Sequence, residues 1–140
     1  YVKILRFLEM SQLVASWSKD PSTKVGAVII DDDRRVISLG YNGFPKGVAD
    51  DKRLDDREEK YKIVVHAERN ALLFANINVK NCSIFTCPIC AGMIIQSGIS
   101  RVVSFKSNNE RWEKDFEISR KIFQEADIHL LEYENINVLP

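Results

Sequence analysis

The sequence predicts a single α/β domain in which helices cover both faces of a mixed sheet. Three observations carry that prediction. A length of 140 residues suits one domain of ordinary size and not two. Five short β-rich runs alternate with segments whose apolar residues recur at helical spacing. Their order is helix, two strands, then repeated helix–strand alternation, the pattern of a layered α/β sheet.

The elements follow in chain order. From Val2 to Ser18, apolar side chains at Ile4, Leu5, Leu8, Leu13, Val14 and Trp17 give an amphipathic first helix. Asp20-Pro21-Ser22-Thr23 punctuates it. Val25 to Ile30 and Val36 to Gly40 are β-rich and joined by the charged turn Asp31 to Arg35, which predicts an antiparallel hairpin. Tyr41 to Gly47 carries two glycines and a proline and is a loop. Asp50 to Lys62 is densely charged with few apolar positions and reads as an exposed excursion. Helices are expected over His66 to Ala75, over Pro88 to Ser97 with Gly98 as its stop, and over Trp112 to Ala126. Strands are expected over Cys82 to Thr86, Arg101 to Phe105 and Ile128 to Glu132.

Composition bounds the function. Hydrophobic residues at 45% and charged residues at 29% are those of a soluble globular protein, and a chain this long buries roughly two thirds of its unfolded surface. Lys plus Arg balances Asp plus Glu at 20 each. A protein that grips long nucleic acid usually carries a basic surplus, because phosphate neutralisation supplies much of the affinity. A small substrate is therefore expected, with no nucleic-acid partner and no membrane association, since no apolar run approaches the ~20 residues of a membrane span. Cys82, Cys87 and Cys90 are too few and too clustered for a disulfide framework, so a reducing, cytoplasmic location is expected. Tyr1 in place of Met reads as the start of the ordered part of a longer product.

Two short motifs carry the chemistry, His66-Ala67-Glu68 and Cys87-Pro88-Ile89-Cys90. Alone, a Cys-x-x-Cys pair suits a redox dithiol or half of a structural zinc site, and an isolated His-x-Glu suits a plain helix start. Together they offer one imidazole and two thiolates, one ligand short of a closed structural zinc site. His129 lies in a predicted strand far along the chain and is a poor fourth ligand. An open fourth position is what a catalytic zinc keeps for water.

The spacing has a physical sense. Residues three apart share a helix face, so Cys87 and Cys90 present both sulfurs to one side. Pro88 suits a first helical position, and the helix N-terminus favours the thiolate form. Glu68, two residues after His66, does not share its face and is poorly placed as a co-ligand. It suits a proton carrier between a zinc-activated water and the substrate. Three ligands of this kind with a non-ligand Glu form the zinc nucleobase deaminase arrangement, in which water attacks C4 of a cytosine ring.

The chain resembles the cytidine and deoxycytidylate deaminase superfamily, and within it the dCMP-specific branch. The likeness runs through Ser18-Lys19-Asp20-Pro21, Lys24 to Ile29, the loop Gly40-Tyr41-Asn42-Gly43-Phe44-Pro45, Val65 to Glu68 with Asn70-Ala71, Cys87 to Cys90 and Gln96 to Ile99. The resemblance implies a three-layer α/β/α sandwich around a five-stranded mixed sheet and one catalytic Zn2+ held by His66, Cys87 and Cys90, with Glu68 catalytic. It implies that Asn42 binds the sugar and that Val25, Gly26, Ala27 and Ala67 wall the base pocket. It further implies hydrolysis of dCMP to dUMP for thymidylate synthesis, homo-oligomers with the hexamer favoured, activation by dCTP and inhibition by dTTP. Mg2+ would accompany the regulatory triphosphate, and Tyr41, Gly43, Phe44 and Lys46 are the candidate regulatory residues. The same loop also reads as a tight turn whose glycines serve the backbone.

A 5′-phosphate needs cationic or N–H donors, and Lys24, Lys106 and Arg111 are candidates, with Trp112 as a cover. Arg53, Arg57 and Lys60 are expected at the surface or between subunits, and Cys82 as a small buried hydrophobe. Two departures from the family stand out. Thr86 occupies the place of a proline before the first zinc cysteine, and a few residues that usually lie between that strand and the cysteine are absent. Val48 stands where relatives carry a further cysteine, which predicts a single zinc per chain. Rival readings are a deaminase of bases in RNA or DNA, a nucleoside deaminase indifferent to the phosphate, and a non-catalytic zinc module. Charge balance opposes the first, a substrate panel separates the second, and a retained Glu68 opposes the third.

Overall fold

The computed structural model describes residues 2–86, 91–106 and 112–134. The chain opens with α1 (Val2–Ala15), followed by β1 (Gly26–Ile30) and β2 (Val36–Tyr41). A 3-10 turn (Lys52–Asp55) and α2 (Arg57–Ile63) precede α3 (Ala67–Leu73) and β3 (Ser83–Phe85). Then come α4 (Ala91–Ser97), β4 (Arg101–Phe105), α5 (Glu113–Glu125) and β5 (His129–Tyr133).

The five strands form one sheet in the order β2-β1-β3-β4-β5. β1 pairs antiparallel with β2 and β3, whereas β3–β4 and β4–β5 are parallel, so the sheet is mixed as expected. β1 is buried along its whole length, because helices cover both of its faces. On one face, Val28, Ile30, Phe85 and Val103 pack with Leu8 and Val14 of α1. On the other, Ala27, Ile29, Ile84 and Val102 meet Ala67 and Ala71 of α3, Ile94 of α4 and Phe123 of α5. This is the expected three-layer sandwich.

Two glycines set the layer spacing. A Cβ at Gly26 would overlap the Ser11 carbonyl oxygen and lie 2.5 Å from the Ala15 backbone nitrogen, so only glycine lets α1 approach β1. A Cβ at Gly40 would lie 2.5 Å from the Ala71 nitrogen and 2.6 Å from the Ala67 carbonyl, so the same holds for α3 on β2.

The charged stretch departs from the expected excursion. Asp56 caps α2 by accepting from the Glu58 and Glu59 amides, and Lys60 is buried at 3% exposure. Arg53 and Arg57 remain near the surface, but Lys60 does not. The remaining boundaries move by a few residues, and the expected start of α4 at Pro88 lies outside the described residues. Among the described residues, no helix is long and apolar enough to cross a membrane.

Candidate active site

The site forms where α3 begins, beside the carboxyl end of β3. In sheets with parallel strands, that end is where ligands usually bind. His66 is the N-cap residue of α3, half-buried, and its side chain makes no capping bond, so the imidazole is not consumed by the helix. Glu68 lies in the first turn at 1% exposure, where the positive end of the helix favours a carboxylate. Thr86 follows β3, is 4% exposed, and its hydroxyl donates to Glu68 Oε1 at 2.9 Å. Its own amide bonds the Val103 carbonyl at 2.9 Å, which fixes the hydroxyl from the sheet side.

Cys87 and Cys90 lie outside the described residues, but the helices that flank them are placed. Ala67, one residue after His66, and Ala91, one residue after Cys90, are buried in the same apolar cluster. The first residues of α3 and α4 are thus packed on one apolar cluster. One imidazole and two thiols, as the sequence offers them, fit a zinc ion in donor type and number. His129 is exposed and pairs in register with Arg101 at the opposite end of the parallel strands, so it stands away from this group.

The expected base wall divides by strand alternation. Ala27 and Ala67 are fully buried on the α3 face, Val25 packs on the same cluster, and the side of Gly26 faces α1. Lys24, Val25, Gly26 and Thr86 together line a cleft of about 120 Å³. Lys106 is exposed just beyond β4, with its ammonium 4.0 Å from Glu134. Trp112 caps α5 and meets the Tyr61 ring edge-on at 6.5 Å, a contact with α2. Arg111 lies outside the described residues.

Asn42 does something the sequence did not disclose. Its Oδ1 accepts from the Val25 amide at 2.9 Å, its Nδ2 donates to the Thr23 carbonyl at 2.8 Å, and its carbonyl accepts from the Ser18 hydroxyl. The side chain thus clamps the loop in front of β1, with one N–H and one lone pair left over. That loop is held from the other side by Asp20, whose Oδ1 accepts from the Ser22 and Thr23 amides, the Ser22 hydroxyl and the Lys60 ammonium. Burial pushes the Asp20 carboxyl up, but those donors outweigh it and hold the group below its ordinary value. The buried contacts of Lys60 with Asp20 and of Thr86 with Glu68 are the features of this neighbourhood that sequence reasoning missed. The Asp56-x-x-Glu59 capping pattern was the available signal for α2, though not for the burial of its lysine.

The four loop residues Tyr41, Gly43, Phe44 and Lys46 line a second cleft of about 630 Å³ with Val65, Leu73 and Phe74. Gly43 bridges Val65 through two backbone bonds of 3.2 and 2.8 Å. The Lys46 ammonium sits 4.6 Å from the Phe74 ring centre.

The family model for the cytidine and deoxycytidylate deaminase zinc-binding region matches residues 2–106. An uncharacterized deaminase of Aliivibrio fischeri is 45% identical over 132 residues, covering 89% of this chain and 89% of its own. The deoxycytidylate deaminase of Mus musculus is 37% identical over 133 residues, covering 87% and 74% respectively. The dCMP deaminase of cyanophage S-TIM5, crystallised with dCMP and dUMP, superposes with a TM-score of 0.73 at 21% identity over 91% of this chain and 94% of its own, a likeness of fold. With a buried glutamate in the first turn of α3, beside the histidine of a motif that this match spans, the chain belongs to the zinc-binding cytidine and deoxycytidylate deaminase family.

Proposed function

We propose that the chain hydrolyses dCMP to dUMP and ammonia, with His66, Cys87 and Cys90 holding one zinc ion and Glu68 carrying protons. The observation behind this reading is the Glu68 carboxylate, almost fully buried next to His66 and held by the Thr86 hydroxyl. A structural zinc site has no use for such a carboxylate, and relatives named deoxycytidylate deaminase at 35–38% identity support the substrate. A zinc ion in that donor set supplies Lewis-acid activation of a water molecule.

The chain's own groups do the rest. Glu68 accepts a proton from the attacking water as the new C–O bond forms at C4 and delivers it to N3. It then passes the remaining hydroxyl proton to the amino nitrogen, so the C–N bond breaks with ammonia leaving. Ala27, Ala67 and Val25 wall the base, Asn42 holds the sugar and its loop, and Lys24 and Lys106 face the phosphate under Trp112. The dUMP formed would feed thymidylate synthesis in the cytoplasm.

Regulation belongs to the second cleft. Its volume of about 630 Å³ falls within the roughly 300–1,000 Å³ of small-molecule sites. Among the described residues, none lies within 4 Å of where a Cβ on Gly43 would sit, so their packing does not demand a glycine there. We assign this cleft to dCTP with Mg2+ as activator and dTTP as inhibitor, acting across the contacts of a homohexamer. The test is ammonia release from dCMP, CMP, deoxycytidine and a cytosine-containing oligonucleotide, each with and without dCTP and dTTP, on protein of measured zinc content. Turnover of dCMP alone, with one zinc per chain, is expected. Equal turnover of deoxycytidine would overturn the nucleotide assignment, and inertness of zinc-loaded protein toward all four would overturn the deaminase reading.

A further inference from the structure

Lys60 is a charged side chain that the proposed reaction does not use, yet it is 3% exposed in a segment otherwise facing solvent. Its ammonium lies 3.1 Å from Asp20 Oδ1 and 2.8 Å from the Ser22 hydroxyl. The side chains of both ion-pair members are almost fully withdrawn from water, at 4% and 3% exposure. Burying two charges is costly unless geometry and further hydrogen bonds compensate, and here one carboxylate oxygen collects four donors. A hydrophobic pair would pack such a site at lower cost, so the stability of the fold alone gives little reason for the charges.

Their placement gives a better one. Asp20 organises the turn through Ser22 and Thr23, which leads directly into Lys24 to Ala27. Asn42 grips the same segment at Thr23 and Val25 from the opposite side. Lys60 sits in the last turns of α2, which ends three residues before His66, and Val65 is bridged to Gly43 next to Asn42. The pair therefore ties the loop before β1 to α2, the helix whose end leads into His66.

We propose that Lys60 and Asp20 are positioning residues for substrate binding, a buried ion pair that fixes the loop carrying Lys24 to Ala27 against the segment carrying His66. The inference rests on the deaminase reading for its catalytic consequence, but its structural half is independent of it. Neither residue touches the reacting atoms. Loss of the pair lets the loop relax, so the main effect falls on KM and not on kcat.

The experiment compares the zinc-loaded native chain with Lys60→Met, Lys60→Arg and the double variant Asp20→Asn/Lys60→Met. The double variant carries no unpaired buried charge and keeps the test open if the single one fails to fold. Two quantities are read: dCMP kinetics, and backbone hydrogen exchange at Ser22, Thr23 and Val25. The expected result is faster exchange at those amides and a KM raised about tenfold, with kcat changed much less and Lys60→Arg recovering part of the loss. Native exchange at the three amides, or a native KM, in the folded double variant would overturn the proposal. If the native chain itself does not turn over dCMP, the deaminase reading fails, and the exchange result alone decides whether the pair fixes the loop.

Discussion

The chemistry of this chain is concentrated in a few side chains whose burial separates them from the many charged residues around them. Glu68 and Lys60 are both buried, whereas their neighbours Arg69 and Glu59 are exposed. Glu68→Gln keeps the shape and removes the proton carrier. It should lower kcat on dCMP by about 10²–10⁴ with zinc content unchanged, as read by turnover and metal analysis on one sample. A variant that loses its zinc as well would make Glu68 part of the ligand set. For Lys60→Met the prediction is thermodynamic. Stranding the Asp20 carboxylate should cost about 3–5 kcal/mol, and the neutral double variant should recover most of it in denaturant unfolding. Asp20 also sets an acid limit. Its folded value lies below 3.8, so its contribution is complete above 3.8 and fades as pH falls through the depressed folded value. Asp20→Asn should flatten the stability profile in that acid range and leave the slope near neutrality unchanged. The His66-Ala67-Glu68 motif stood out in the sequence because its spacing has a chemical meaning, but the burial of Lys60 did not. Nothing local distinguishes it from Lys62 two residues on, since its partner lies 40 residues away in sequence.

At the scale of elements, legibility followed how local the cause was. β1 is a continuous apolar run, Gly-Ala-Val-Ile-Ile, because both its faces are covered, and that run is visible in the sequence. The hairpin to β2 was equally plain from the charged turn between two β-rich runs. The helix α2 was not, because it lacks an apolar stripe and depends on the Asp56 cap and on the buried lysine. The strand order was not legible either. That β1 lies between β2 and β3, and runs antiparallel to both, depends on how α1 and α3 stack on it, and the close approaches at Gly26 and Gly40 are part of that stacking. Gly26→Ala puts a methyl group into the backbone of α1 at Ser11 and Ala15. Since backbone cannot swing aside as a side chain can, a loss of at least about 1–3 kcal/mol is expected in thermal or denaturant unfolding. Gly43→Ala is the control. Its Cβ would meet none of the described residues within 4 Å, so stability should be unchanged, and any effect should appear in the response to dCTP or dTTP.

Over the whole molecule, the loop cleft lies against the segment that brings the chain into α3. The loop cleft is lined by residues of β2 and α3, and the small cleft beside Thr86 by Leu8, Ala15 and Lys24 to Gly26 on the α1 face. Val65 borders the loop cleft and directly precedes His66, so a ligand or subunit that presses on the Gly43–Val65 bridge acts on the backbone of the histidine proposed to hold zinc. Leu73 and Phe74 line that cleft and, with Ile77 beyond them, are 67%, 53% and 59% exposed, an apolar surface that a solitary chain leaves in water. If copies of the chain meet there, Phe74→Glu places a charge in the contact, since the ring is both exposed and stacked under Lys46. The expected outcome is a smaller particle mass by light scattering, together with a lost or weakened response to dCTP, while dCMP turnover is kept. A native mass with a lost nucleotide response would confine the cleft to ligand binding. A native mass with a native response would remove this surface from both roles and leave Tyr41, Gly43, Phe44 and Lys46 as the turn that the glycine-rich loop also suits.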